Sequence, residues 1–189
     1  SGSLKKGIIV AGMHSSSGKT VVTSLVLAAT QKRGISIQPF KIGPDYIDPG
    51  YHLHYSAKNS VNLDPWIMGR DHVIQAAGQF TKNSLGVAEG VMGLFDGSDP
   101  ETDVGSTMEI ARWLGWKILL VVPCQNAGRS ITAAIQGFVK EAGGVKNFIG
   151  IILNRINSES HAEYLCKACK SCGISVLGTL PEIPALSWP

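Results

Sequence analysis

Short apolar runs alternate along the chain with longer mixed stretches. Residues 7–10, 85–88, 117–122, 148–153 and 174–177 are such runs, and each reads as a buried strand. Residues 35–41 read as a further strand, entered through Gly34, a good C′ residue for the preceding helix. Helices are expected over 21–29 and 71–81, from Gly105-Ser106 through Trp113, and from Ala127 or Gly128 to Glu141, with Gly143-Gly144 closing the last of these. Another opens at Ser158 and is ended by Gly173. A short helix is expected over 51–56, and Asn62-Leu63-Asp64-Pro65-Trp66 reads as a turn. Continuously apolar strands alternating with helices imply an α/β fold with a mostly parallel sheet, covered by helices on both faces. No repeat, low-complexity segment or linker interrupts the pattern, so 1–189 reads as a single domain, with Ser1-Gly2-Ser3 left out of the fold.

The first strand-to-helix junction carries the clearest chemistry. It reads Ala11-Gly12-Met13-His14-Ser15-Ser16-Ser17-Gly18-Lys19-Thr20. Strand, small-residue loop, Gly-Lys-Thr and helix together are the context of a phosphate loop, and they narrow the fold to the three-layer P-loop NTPase type. Gly18 lets the backbone approach phosphate oxygens, and amides at the helix start form an anion cradle. Lys19 offers a point charge to the β- and γ-phosphates, and Thr20 a hydroxyl to Mg²⁺. The spacing is unusual: Gly12 and Gly18 enclose five residues, one more than the common form, with Met13 where the first glycine normally stands. ATP and Mg²⁺ are the expected cofactors.

Two further segments hold acids where ligands of α/β proteins bind, beyond strand ends. Gly43-Pro44-Asp45-Tyr46-Ile47-Asp48-Pro49-Gly50 is a polar loop in which Asp45 and Asp48 reach Mg²⁺ or a substrate, or make ordinary turn contacts. The run 85–88 ends in Glu89-Gly90-Val91-Met92-Gly93-Leu94-Phe95-Asp96-Gly97. An acid closing an apolar strand is the position where a carboxylate meets Mg²⁺ directly or through water, so Glu89 is the first candidate and Asp96 a second.

Composition changes this picture little. At 44% hydrophobic and 16% charged residues, the 189-residue chain is globular. A net charge of +3 is too small to argue for nucleic acid, and no apolar run approaches a membrane span. No secretory leader opens the chain, which points to the cytoplasm. Cys166, Cys169 and Cys172 stand three apart, a spacing that suits three metal or cluster ligands or three small helix side chains; no clear fourth ligand lies nearby. His14, His52, His54, His72 and His161 show no ligand spacing and read as surface or packing residues.

Taken in order, the phosphate loop, Phe40-Lys41-Ile42-Gly43-Pro44-Asp45-Tyr46-Ile47-Asp48-Pro49, Asn62-Leu63-Asp64-Pro65-Trp66, Glu89 to Gly97, Ser106-Thr107-Met108-Glu109-Ile110-Ala111, Gly150-Ile151-Ile152-Leu153-Asn154-Arg155 and Leu177-Gly178-Thr179-Leu180-Pro181 resemble the N-terminal amidoligase domain of the cobyrinic acid a,c-diamide synthase family. The resemblance covers nearly the whole chain; hydrogenobyrinic acid and Ni-sirohydrochlorin a,c-diamide synthases are close, and dethiobiotin synthetase is more distant. It implies that ATP phosphorylates the a and c acetate carboxylates of a corrinoid-type tetrapyrrole and that ammonia displaces phosphate to give amides. Carried over, Lys19 and Thr20 bind phosphate and Mg²⁺, Asp45 and Glu89 are Mg²⁺-associated acids, and Asp48 and Asp96 handle substrate, metal or intermediate. Gly12, Ser16, Ser17, Gly18, Lys19, Thr20 and Val21 form the nucleotide cradle, with Asn154 as adenine contact and Arg155 beside it.

Three departures stand out. Ser16 replaces a glycine usual two residues before Gly18, a substitution costly if the position needs positive φ. Pro123-Cys124 follows the apolar strand ending at Val122, where relatives often have an acid. The family normally continues into a glutaminase, which this chain lacks, so ammonia is expected from a separate domain or subunit, and a homodimer is left open. The competing expectations are a dethiobiotin synthetase-like carboxylase and a partitioning-type ATPase switch. The Gly-Pro-Asp-Tyr-Ile-Asp-Pro loop argues against the first, and Met13-His14, where a second lysine would stand, against the second.

Overall fold

A computed structural model describes residues 6–43 and 59–182. Seven strands form one sheet: β1 (Gly7–Gly12), β2 (Ile37–Ile42), β3 (Val61–Leu63), β4 (Leu85–Gly93), β5 (Lys117–Pro123), β6 (Phe148–Ile156) and β7 (Val176–Pro181). Their spatial order is β3-β2-β4-β1-β5-β6-β7, and every pairing is parallel. Five helices are described: α1 (Lys19–Lys32), α2 (Pro65–Phe80), α3 (Thr107–Leu114), α4 (Ile131–Glu141) and α5 (Glu159–Cys169).

Side-chain alternation along the strands makes two cores. Val10, Val87, Leu119 and Val121 face Val22 and Leu27 of α1. Ile9, Ala88, Leu120 and Leu153 face the other way, onto Val73 of α2, Ile110 of α3, Ile135 of α4 and Leu165 of α5. Thus α1 lies on one face and the later helices on the other, which gives the expected three layers. The chain leaves β1 toward β2 on one side and later crosses to β5 on the other, so β1 sits at the switch point, where ligands bind beyond the strand ends.

Caps fix where the helices start. Ser106 Oγ accepts from Glu109 N at 3.1 Å while Glu109 Oε1 accepts from Gly105 N at 3.2 Å, a reciprocal cap. Ser158 Oγ accepts from His161 N, as its position in the sequence predicts. Asp64 and Pro65 do not form the expected turn. Leu63 ends β3, Asp64 caps α2 and Pro65 is its first residue, where a missing N–H costs nothing. Gly69 (φ 70°, ψ 169°) then breaks α2 after one turn, which is why the periodic signal starts only at Asp71.

Several boundaries move. β4 does not end at residue 88; it continues through Glu89 to Gly93, because β1 and β2 pair with it on both sides, Val10 and Lys41 opposite Glu89 and Ile42 opposite Gly90. Glycines that suggest a break here are small residues inside a doubly paired strand. β6 likewise runs on through Asn154 and Arg155. β7 starts and ends later than 174–177, its register set by Ile151 opposite Val176. α4 starts at Ile131, since Asn126 adopts φ 56° and turns around Cys124 and Gly128 take up the preceding residues. The expected helix at 51–56 and most of the loop at 43–50 lie outside the described residues.

Candidate active site

The phosphate loop is braced by its own side chains. Buried Ser17 donates its hydroxyl to His14 O at 2.8 Å and accepts from His14 N at 3.1 Å. Gly12 lies against it: a Cβ there would come 2.7 Å from Ser17 Cβ. Gly18 caps α1 in the left-handed region at φ 91°. A Cβ at Gly18 would collide with Asn154 Nδ2, which donates to Ser17 O at 3.0 Å. Glycine is therefore required twice, for conformation and for space. Ser16 carries no such demand: Asn126 and Arg155 are the positive-φ non-glycine residues among those described, so the serine sits unstrained at this position.

Two lysines face this loop. Lys19 is buried at the start of α1, and its Nζ donates to His14 O at 3.4 Å and Ser15 O at 3.3 Å, spanning the loop it follows. Burial pushes its ammonium below the usual lysine range; Glu89 pulls it back up, Lys41 lowers it further, and Asp96 raises it. Lys41, in β2, pairs its Nζ with Glu89 Oε2 at 2.6 Å, directly across the β2–β4 register. Glu89 is 0% exposed, and its Oε1 accepts from Thr23 Oγ1 at 3.0 Å. Exposed Asp96 curls back so that Oδ2 accepts from Gly93 N at 2.8 Å. A cavity of about 370 Å³ opens between these groups, lined by Ser16, Lys19, Thr20, Lys41, Gly90 and Arg155, among others.

Thus the structure brings together the loop residues, Lys19, Thr20 and Val21 at its rim, Glu89, and Asn154 and Arg155 from the end of β6. Asp96 lies within electrostatic reach of Lys19. Asp45 and Asp48 fall outside the described residues. Lys41 and Thr23 belong to the same cluster and carry no signal of their own in the sequence reading. Lys41 is the one charged residue of β2, two residues before Gly43.

Thr20, on the exposed first turn of α1, presents a hydroxyl chemistry suited to a hydrated Mg²⁺, which keeps several waters in phosphate sites. Glu89 is buried with its oxygens engaged by Thr23 and Lys41, so contact with such an ion would require one of these partners to give way. No three or more His, Cys, Asp or Glu among the described residues are placed to hold a metal ion. Cys124 and Cys169 are fully buried, and burial pushes their thiols up to about 12 and about 11. These are packing thiols. His161 packs by hydrogen-bonding Ala127 O at 2.7 Å, and His72 Nδ1 contacts Met68 O.

A family profile described as "CobQ/CobB/MinD/ParA nucleotide binding domain" matches residues 8–188. The chain belongs to this family. Among curated relatives, the hydrogenobyrinate a,c-diamide synthase of Rhodobacter capsulatus is 40% identical over 186 residues, covering 97% of this chain and 42% of that protein. The cobyrinate a,c-diamide synthase of Syntrophotalea carbinolica is 38% identical over 185 residues, 94% of this chain and 40% of the relative. The chain therefore spans about two fifths of the length of the curated relatives it matches. Among solved structures, chloroplast FtsY from Physcomitrella patens superposes with a TM-score of 0.63 at 14% identity, over 93% of this chain and 58% of that one, a likeness of fold alone. The family's description names a nucleotide binding domain, and the matched residues include the loop from Gly12 to Val21.

Proposed function

We propose that the chain is an ATP-dependent amidoligase that activates the a and c acetate carboxylates of a cobyrinate-type tetrapyrrole as acyl phosphates, ammonia then forming the amides. The observation that carries this reading is the pair of lysines, Lys19 and Lys41, on two walls of one cavity with Glu89 and Asp96 at the same strand edge. The names of the relatives support the acceptor: those proteins act on hydrogenobyrinate or cobyrinate.

A carboxylate is a poor electrophile because oxide would have to leave. Transfer of the γ-phosphoryl to a carboxylate oxygen breaks the bond to ADP and creates a phosphate leaving group. Ammonia adds to the acyl carbon, loses a proton, and expels phosphate. The chain's task is positioning and charge neutralisation. Loop amides and Lys19 hold the β- and γ-phosphates, with Lys19 exchanging loop carbonyls for phosphate oxygens. Lys41 is held against Glu89 at the cavity wall, where it neutralises the incoming carboxylate. Asn154 and Arg155 border the base side. Thr20 would hold Mg²⁺, with Asp45 and Glu89 as its associated acids; the ion supplies charge neutralisation at the phosphates. Asp48 and Asp96 orient the acceptor arm. Ammonia comes from a glutaminase domain or subunit.

The test is incubation with MgATP, ammonium and hydrogenobyrinate or cobyrinate, read by mass spectrometry. Mono- and diamide products with matching ADP are expected. ATP hydrolysis that ignores the macrocycle, with no amide formed, overturns the proposal.

A further inference from the structure

Residues 65–68 form a single turn that leaves Trp66 and Ile67 exposed, while Pro65 is buried and Met68 packs against the core. Buried Asp64 accepts from Trp66 N at 2.9 Å and Ile67 N at 3.3 Å through one carboxylate oxygen. Pro65 fixes the entry, and Gly69 at φ 70° cuts the turn from the rest of α2, which buries Val73 and Ala77 on its own account. Trp66 is left 73% exposed and Ile67 78% exposed. Folding gains little from an indole in water, so this presentation needs another reason. Met92, 38% exposed, joins Trp66 in lining a cavity of about 190 Å³ floored by Asp64, Gly97 and Gly105.

This apolar shelf and the phosphate cavity are both lined by the end of β4. Gly90 and Val91 line the phosphate cavity, Met92 and Gly97 line the shelf, and Asp96 lies between, tied to Gly93. We infer that Trp66, Ile67 and Met92 are the docking face for the flat body of the macrocyclic acid, placing one acetate arm past Asp96 toward Lys19. The inference rests on the amidation reading above and names where that acceptor lies. A 190 Å³ recess is too small to enclose a tetrapyrrole, so the ring face stacks on the indole while the carboxylates other than the arm at the phosphate cavity stay in water. A second copy of the chain has no need to adjoin the phosphate cavity; an acceptor of the γ-phosphoryl does.

The test is a titration of the chain with hydrogenobyrinate, followed by its absorbance, for the parent and for Trp66→Ala, Trp66→Phe and Met92→Ala, with ATP affinity measured in parallel. Trp66→Ala should weaken macrocycle binding about tenfold or more, and Trp66→Phe should recover most of it, while ATP affinity stays within about twofold. In turnover, KM for the macrocycle should rise more than kcat falls. A parent that binds the macrocycle while Trp66→Ala binds it equally well overturns the docking face and leaves the amidation reading standing. A parent that binds none overturns both. Conversion of a dimer to a monomer by Trp66→Ala in sedimentation would make this face a subunit contact and overturn the inference.

Discussion

Lys41 Nζ lies 2.6 Å from Glu89 Oε2, each residue the register partner of the other in adjacent parallel strands. The carboxylate is sealed from water while the lysine side chain is 22% exposed, so the pair joins a buried anion to the phosphate cavity. Removing one partner takes the 2.6 Å charge-assisted hydrogen bond from the other. Lys41→Met should destabilise the fold by about 3 kcal/mol, read by urea denaturation. Adding Glu89→Gln should recover most of that stability, because both charges leave together and Thr23 keeps a hydrogen-bond partner. The double variant should still form no amide, which separates the structural from the chemical need for Lys41.

Gly18 and Asn154 make a second testable couple. Gly18→Ala forces a left-handed alanine and drives its methyl into the Asn154 amide, so nucleotide affinity by calorimetry should fall about tenfold or more. Adding Asn154→Ala removes the collision but leaves roughly 1–2 kcal/mol of backbone strain. Part of the lost stability should therefore return and the nucleotide affinity should not.

The depressed Lys19 ammonium predicts a pH dependence with a definite sign. Without nucleotide, burial favours the neutral amine; a triphosphate favours the cation. The bound state then holds its proton to higher pH than the free state. ATP affinity should be flat across mildly alkaline pH and fall once pH passes the free-state value for Lys19, below the ordinary 10.5. Over that window binding should take up a proton, visible as buffer-dependent enthalpy in calorimetry.

The buried thiols predict a pH dependence for stability as well. The folded chain keeps protons on Cys124 and Cys169 up to about 12 and about 11, whereas an unfolded chain releases them near 9.0. Stability should therefore decline as pH rises above 9.0, less steeply in Cys124→Ala. At pH 8, iodoacetamide should leave both cysteines unlabelled in the folded chain and label them after unfolding, as peptide mass spectrometry would show.

The phosphate loop and its flanking elements were legible because local rules decide them: a small-residue loop between an apolar strand and a helix has few other structures. Ser106 and Ser158 were equally readable as caps. What escaped the sequence depends on neighbours. Glu89 seemed to close its strand because Gly90 and Gly93 look like breakers, yet pairing from β1 and β2 carries β4 four residues further. Lys41 looked like any strand lysine until β4 set Glu89 opposite it. Asp64-Pro65 signalled a turn, and a turn and a capped helix start share those residues; only the chain beyond decides. The tie from Asn154 to Ser17 joins strands that the sequence keeps far apart.

That last tie has a bearing on synthesis. Ser17 leaves the ribosome long before Asn154, and until β6 docks beside β5 the loop carbonyl has no amide to restrain it. A nascent chain therefore carries an unfinished cradle, and competence to hold nucleotide arrives late in translation, when most of the sheet is already assembled.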